Sequence, residues 1–322
     1  MDRARWSTES SSTRAAYIGA IASALERDSL LQKFGMCFSH MENFGGFETG
    51  VFSDISGSEF IYIPADNATL GFDRNFTLPP RMIDAFEHAF SLYYPNLFPA
   101  GCNPEQVVLA ELEKMMSSLR MGKIREMLVE TEYSEYEYSK EGSTMEFIST
   151  NNNKTVKCCS DEQFEIIQFM NDLGFDCCSE DEWEYLSGGY HRNLYNKNMT
   201  KLYMETISTP RLDELKEQHK DNPHYKDVYW TLFFNEMFTP EKLRTRNENG
   251  LYIAYHPYEQ ELVSSHCLTK GSDGGGALHN GDGILGYLPC SPHFRFADAW
   301  IEYIYIRRVV DVNNLLNRHS RF

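Results

Sequence analysis

The chain has 322 residues, 42% of them hydrophobic and 14% aromatic, which is enough to bury one large core or two modest ones and too much for a disordered segment. A formal net charge of -17 argues against binding to a phosphate backbone, which needs clustered Lys and Arg to release counterions. No run approaches the roughly 20 apolar residues that span a bilayer, so a cytoplasmic chain without membrane or nucleic-acid partners is expected.

At the N-terminus Arg3, Arg5 and Arg14 precede Ala15 to Ala24, and Ala22-Ser23-Ala24 imitates a signal-peptide cleavage site. Asp2, the long Ser/Thr run and the short, Gly-interrupted apolar core oppose that reading. The pattern predicts instead an amphipathic helix over 13–33, capped by Ser12 or Thr13. A Phe- and Gly-rich loop follows through Phe44-Gly45-Gly46-Phe47. Glu59 to Ala65 reads as a strand of β-branched and aromatic residues stopped by Pro64, and Leu70-Gly71 closes this unit.

Pro79-Pro80 opens a helix with Met82, Ala85, Phe86, Ala89 and Phe90 at helical spacing. Asn103-Pro104-Glu105-Gln106 opens another, joining an N-cap, a proline at the first helical position and an acidic first turn. Leu112, Met115, Met116 and Leu119 are expected to fill the core. Thr131 to Lys140 reads as a half-exposed strand. Ser160-Asp161-Glu162-Gln163 forms a capping box for a helix that presents Phe164, Ile167, Phe169, Met170 and Leu173 and stops at Gly174.

Asp181-Glu182-Trp183-Glu184-Tyr185, followed by Gly188-Gly189, brings a Trp and a Tyr to a place where the chain is expected to turn outward. An irregular, Asn-rich region comes next, with short helical pieces near 210–220 and 239–244. Gly271 to Gly283 carries six glycines, and Trp300 to Val312 is strand-like. No internal repeat of fixed period is visible.

Eight cysteines include the adjacent pairs Cys158-Cys159 and Cys177-Cys178, in a chain too long to depend on a disulfide framework. Vicinal pairs seldom bridge one another, so reduced thiols are expected. The sequons at Asn67, Asn75, Asn153 and Asn198 carry little weight without a convincing signal peptide.

Several segments then fall into a familiar order. Phe60-Ile61-Tyr62-Ile63-Pro64-Ala65 with Leu70-Gly71, Glu182-Trp183-Glu184-Tyr185 with Gly188-Gly189, and Asn249-Gly250-Leu251-Tyr252 resemble the sulfatase-modifying-factor, or formylglycine-generating, family. Lys270-Gly271-Ser272 is similar to that family's Arg-Gly-Gly-Ser turn, Phe294-Arg295-Phe296 to its Tyr-Arg-Tyr segment, and Ile304-Tyr305-Ile306-Arg307 to its closing Leu-Gly-Phe-Arg strand. The resemblance covers roughly 59–72 and 155–312. It implies an α+β, loop-rich, C-type-lectin-like domain with a small mixed sheet, in which Trp183 and Tyr185 are packing residues. In this reading 1–55 is an added N-terminal helical and loop extension, and 56–322 is the domain, with a helical insertion at about 79–128.

The family's chemistry is a cysteine oxidation at a copper ion held by two thiolates, soft ligands suited to Cu(I). The resemblance places His293 and Asp298 where those cysteines belong. Cys290 is a displaced candidate, with Cys267 the next thiol toward the N-terminus. Calcium is the other implied metal. Its turn corresponds to His256 through Glu261, where Pro257 and Gln260 depart from the pattern and degrade the site, and Glu259 or Glu261 could substitute as an oxygen ligand in a shifted register, with Asp282 a further metal candidate. His256, His266, His279 and His293 gather with Asp273 and Asp282 in a short interval, residue types that suit a two-His-one-carboxylate iron site, but no pair has helical ligand spacing.

The run Gly271-Ser272-Asp273-Gly274-Gly275-Gly276 lacks the Lys and the strand-to-helix context of a phosphate-binding loop and reads as a tight turn. With Arg295, Asp273 and His279 are the candidate ligand-binding residues, Arg295 being suited to an anion or carboxylate. The expectation is a binding module for a protein or peptide partner that lacks the copper-binding cysteine pair. Its rivals are a metal-dependent oxidase or oxygenase with ligands relocated to Cys290, His293, His279 or Asp298, and a subunit of a larger assembly.

Overall fold

A computed structural model describes residues 1–139, 144–148, 157–158, 163–188, 193–195, 200, 210–222, 243–256, 258–265, 268–273, 283–295 and 304–319. In chain order its elements are α1 (Arg3–Thr8), α2 (Ser11–Arg27), β1 (Cys37–Phe44), β2 (Phe47–Ser53), β3 (Glu59–Ile63), β4 (Asp66–Leu70), α3 (Pro80–Tyr93), α4 (Pro104–Met115), β5 (Arg120–Ile124) and β6 (Met127–Glu130). There follow β7 (Ser134–Ser139), β8 (Thr144–Ile148), β9 (Lys157–Cys158), α5 (Gln163–Asp172), α6 (Glu180–Gly188), α7 (Pro210–His219), β10 (Gln260–Leu262), β11 (Thr269–Lys270), β12 (Ile304–Ile306), β13 (Val309–Asp311) and α8 (Val312–His319). The chain is therefore α+β.

A five-stranded antiparallel sheet runs β1-β2-β3-β6-β13, and a two-stranded sheet pairs β4 with β5. A six-stranded sheet runs β11-β10-β12-β7-β8-β9 and is mixed, since β10 and β12 are parallel. Side chains alternate across a strand. In β3, Phe60 and Tyr62 face a cluster that includes Ile18, Ile21, Phe175 and Leu315, while Ile61 and Ile63 face another that includes Trp183, Leu186 and Val309. The inner strands β3 and β6 of the five-stranded sheet are thus buried on both faces, by the N- and C-terminal helices on one side and α6 on the other. A third cluster joins α3 and α4 to the 3₁₀ turn Gly283–Cys290.

Both prolines begin helices as expected, and Asn103 accepts from Glu105 N at 3.0 Å. Other details differ. The N-terminal helix is capped by Ser10, whose Oγ accepts from Thr13 N, and it ends at Arg27. There the Asp28 carboxylate takes the amides of Leu30 and Leu31 and turns the chain aside. The expected loop at 44–47 is a tight hairpin: Phe44 pairs with Phe47, and Gly45 and Gly46 supply the positive φ angles, 60° and 97°, that a two-residue turn demands. Leu119 is exposed rather than in the core. The capping box at Ser160 lies outside the described residues apart from Gln163, as do 239–242 and 300–303.

Residues 1–55 contribute β1 and β2 to the sheet that holds β3, with Val51 opposite Ile61. The Met1 ammonium, Tyr17 OH and Tyr62 OH all converge on the buried Glu126 carboxylate, the hydroxyls at 2.6 and 2.5 Å. At the other end of the chain the expected strand is broken by Arg307-Arg308 into β12, in the six-stranded sheet, and β13, in the five-stranded one. Arg307 bonds Glu261 of β10, and Arg308 bonds Glu130 of β6 and Asp54 beyond β2.

A buried charge cage around Glu184

The segment expected to turn outward is helix α6. Its start is a capping box: Glu182 N donates to Ser179 Oγ at 3.2 Å, and Ser179 N donates to Glu182 Oε2 at 2.8 Å. Ser179-Glu180-Asp181-Glu182 carries that signature in the sequence, so the helix start was legible. Trp183 and Tyr185 are packing residues, as expected. Trp183 is fully buried, and a Cβ on Gly271 would come within 3.1 Å of its ring, while Tyr185 OH donates to Asp66 at 2.8 Å. At the far end Asn247 and Asn249 donate their amides to the Leu186 carbonyl at 2.6 and 3.1 Å.

One helical turn apart, Glu180 and Glu184 share a face of α6. Lys270 Nζ lies 3.0 Å from Glu184 Oε1, 2.8 Å from the Phe294 carbonyl and 3.7 Å from Glu180 Oε1. Arg120 of β5 reaches Asp181 at 2.7 Å and Glu184 Oε2 at 3.3 Å. His293 Nδ1 is 3.7 Å from Glu184 Oε2, beyond hydrogen-bond length, and neither ring nitrogen meets a hydrogen-bond partner among the described residues. Burial pushes the Glu184 carboxyl up, but Lys270, with His293, Ser117 and Arg120, outweighs it and holds the group well below the usual carboxylate range. Burial lowers the Lys270 ammonium, against the pull of Glu184 and Glu180. Two acceptors at hydrogen-bond distance favour the ionised pair.

The backbone holds this cage together. Ser117 N donates to the His293 carbonyl at 2.8 Å, Arg295 N to the Met115 carbonyl at 3.0 Å, and Phe72 N to the Ser117 carbonyl at 2.9 Å. The close approach at that last contact requires Gly71, where φ is +89° and a Cβ would stand 2.0 Å from the Ser118 carbonyl oxygen.

The structure brings only some of the sequence-predicted residues together. His293 enters the cage. Arg295 is 56% exposed and pairs with Glu180 at 3.2 Å, so it does not line a buried pocket. Cys290 faces the apolar cluster around α3 and the 3₁₀ turn, where burial and the nearby Asp273 push its thiol up. His279, Asp282 and Asp298, with Cys267, His266 and Phe296, lie outside the described residues.

Glu261 and Glu259 have different neighbours. Arg307 Nε donates to Glu261 Oε2 at 2.9 Å and Nη2 to Oε1 at 2.8 Å, so this carboxylate is committed to an ion pair. Glu259 lies 3.8 Å from His256 Nε2, and burial, with Glu261 and Glu132 nearby, pushes it up to about 7. Among the described residues no three His, Cys, Asp or Glu side chains converge as a metal site requires. The described residues therefore fit neither a two-thiolate copper site nor a calcium cage built on Glu261. Glu184, Lys270, Arg120 and Ser117 were not selected from the sequence. Lys270, a lone cation before Gly271, was the available signal.

An open cleft of about 670 Å³ lies elsewhere, lined by residues that include Asn171, Asp176, Asp311, Asn314 and Arg318, and it shares no residue with the cage. No described helix is long and apolar enough to cross a membrane. Compared with protein families, curated proteins and solved structures, the chain matches none.

Proposed function

We propose that this chain is a formylglycine-generator-like domain of C-type-lectin-like fold that serves as a binding or assembly module for a protein or peptide partner, without cysteine-oxidase activity. The observation that supports this reading is the setting of His293. It stands where the resemblance expects the first copper thiolate, and it is buried against an ion pair that spans α6 and β11. Cys290, three residues before it, has the raised thiol of a small buried hydrophobe. A cysteine that ligates copper must be a thiolate, and burial in apolar surroundings opposes that form. Of the residues that carry the resemblance, Glu184, Lys270 and Arg307 are all engaged in holding the scaffold.

The test is to load the purified protein with copper and incubate it with a cysteine-containing client peptide under oxygen, following the peptide by mass spectrometry. The cysteine is expected to remain unconverted. Formation of formylglycine in the peptide overturns the reading.

A further inference from the structure

The open cleft of about 670 Å³ falls within the size range of ligand sites. One wall is a face of α8 and its N-terminal approach, where Asp311, Asn314 and Arg318 follow at i, i+3 and i+7. The other wall is the end of α5 and the loop after it, with Asn171, Gly174 and Asp176. Asp176 and Val309 exchange backbone hydrogen bonds of 2.7 and 2.9 Å, which sets the Asp176 end of one wall beside the Asp311 end of the other.

The two ends differ in charge. At one, Asp176, Asp311 and Glu182 share the single guanidinium of Arg125, so negative charge is in excess. At the other, the Arg318 side chain is 46% exposed and meets Asp28 through Nη1 at 3.1 Å. Between them, the Asn314 amide donates to Asp311 at 3.0 Å, and its carbonyl oxygen has no partner among the described residues. Asn171 and Asn317 bring two more carboxamides, each with the donor and acceptor of a peptide group. Phe175, in the floor, is buried with its ring stacked on Phe60 and edge-on to Phe34, so it offers no open aromatic face to a sugar ring.

We propose that this cleft holds an extended segment of a peptide partner, with a basic side chain at the Asp176–Asp311 end and an acidic one at Arg318. The inference deepens the binding-module reading and rests on it. From Asp311 to Arg318 the helix advances about 10 Å. Residues i and i+2 of an extended chain lie about 7 Å apart on one face, and their own side chains close the remaining gap. The carboxamides of the two walls then meet the peptide groups between these residues.

Fluorescence anisotropy with the full chain and labelled peptides tests this. Gly-Lys-Val-Glu-Gly should bind more tightly than Gly-Gln-Val-Gln-Gly. Arg318→Glu should weaken the first peptide about fivefold or more, since an attractive pair becomes a repulsive one, and Gly-Lys-Val-Lys-Gly should recover the loss on that variant. Asn317→Trp, on an exposed wall position, should block every peptide, and circular dichroism checks that both variants are folded. Binding that is indifferent to both variants overturns the cleft assignment while leaving the binding-module reading, which fails instead on conversion of a client cysteine. The assignment is also overturned if none of the peptides binds, or if labelled maltotriose, a neutral saccharide, binds in preference to them.

Discussion

Lys270 and Glu184 meet at 3.0 Å with both side chains shut off from solvent, and the same ammonium donates to the Phe294 carbonyl. One cation thereby joins β11, α6 and the segment that carries His293 and Arg295. Removing one member of such a pair leaves a buried charge uncompensated, which costs about 3–5 kcal/mol. Lys270→Met is expected to destabilise by that amount in urea denaturation, and adding Glu184→Leu should recover much of the loss.

The same pair sets the response to acid. Its folded-state carboxyl is held below the unfolded value of about 4.3, so the stability it contributes is present above that pH and is lost as pH falls toward the folded value. A thermal-melt series from about pH 6 down to about pH 2 should fall more steeply for the wild type than for Glu184→Gln. Parallel curves for the two proteins would contradict the assigned direction.

Glu259 has the opposite sign. Its carboxyl is pushed up to about 7 by burial and by Glu261 and Glu132, so the folded protein holds a proton that the unfolded chain has released. Stability is therefore lost as pH rises from about 4.3 to about 7. The group is partly exposed, which discounts the effect to about 1 kcal/mol. Glu259→Gln should be neutral at about pH 4.5 and stabilising near pH 8, where the wild-type carboxylate is charged, as read from melting temperatures at the two pH values.

Gly71 allows the chain to pass against Ser118. With φ at +89° and a Cβ position 2.0 Å from a backbone oxygen, the contact has no flexible side chain that can yield. Gly71→Ala is expected to cost more than about 2 kcal/mol, combining the left-handed backbone with displacement of the 117–118 segment. Differential scanning calorimetry measures it directly.

Local signals carried the fold where the decisive contact is local. The proline-led starts of α3 and α4, the β-branched and aromatic run of β3 stopped by Pro64 and the stop at Gly174 depend on residues within a turn of one another. The β1–β2 hairpin was missed because Gly45-Gly46 was read as a loop, although two glycines between aromatics also suit a two-residue turn. Helix α6 has a legible start in its Ser179–Glu182 capping box, but its body gives no periodic signal. Seven of its nine residues are buried, acids included, so it shows no apolar stripe; Glu184 is buried because Lys270 lies 86 residues downstream. The site followed the same rule. The resemblance selected His293 and Arg295, but the carboxylates they face belong to a segment read only as packing.

Arg307 and Arg308 stand at the joint between two sheets. Adjacent residues of an extended chain point to opposite sides, so one guanidinium is committed to Glu261 and the next to Glu130 and Asp54. Neither sheet can peel away alone without stranding a buried cation. The joint thus acts as a thermodynamic coupling, and loss of the six-stranded sheet and of the five-stranded one should appear as a single transition by every probe.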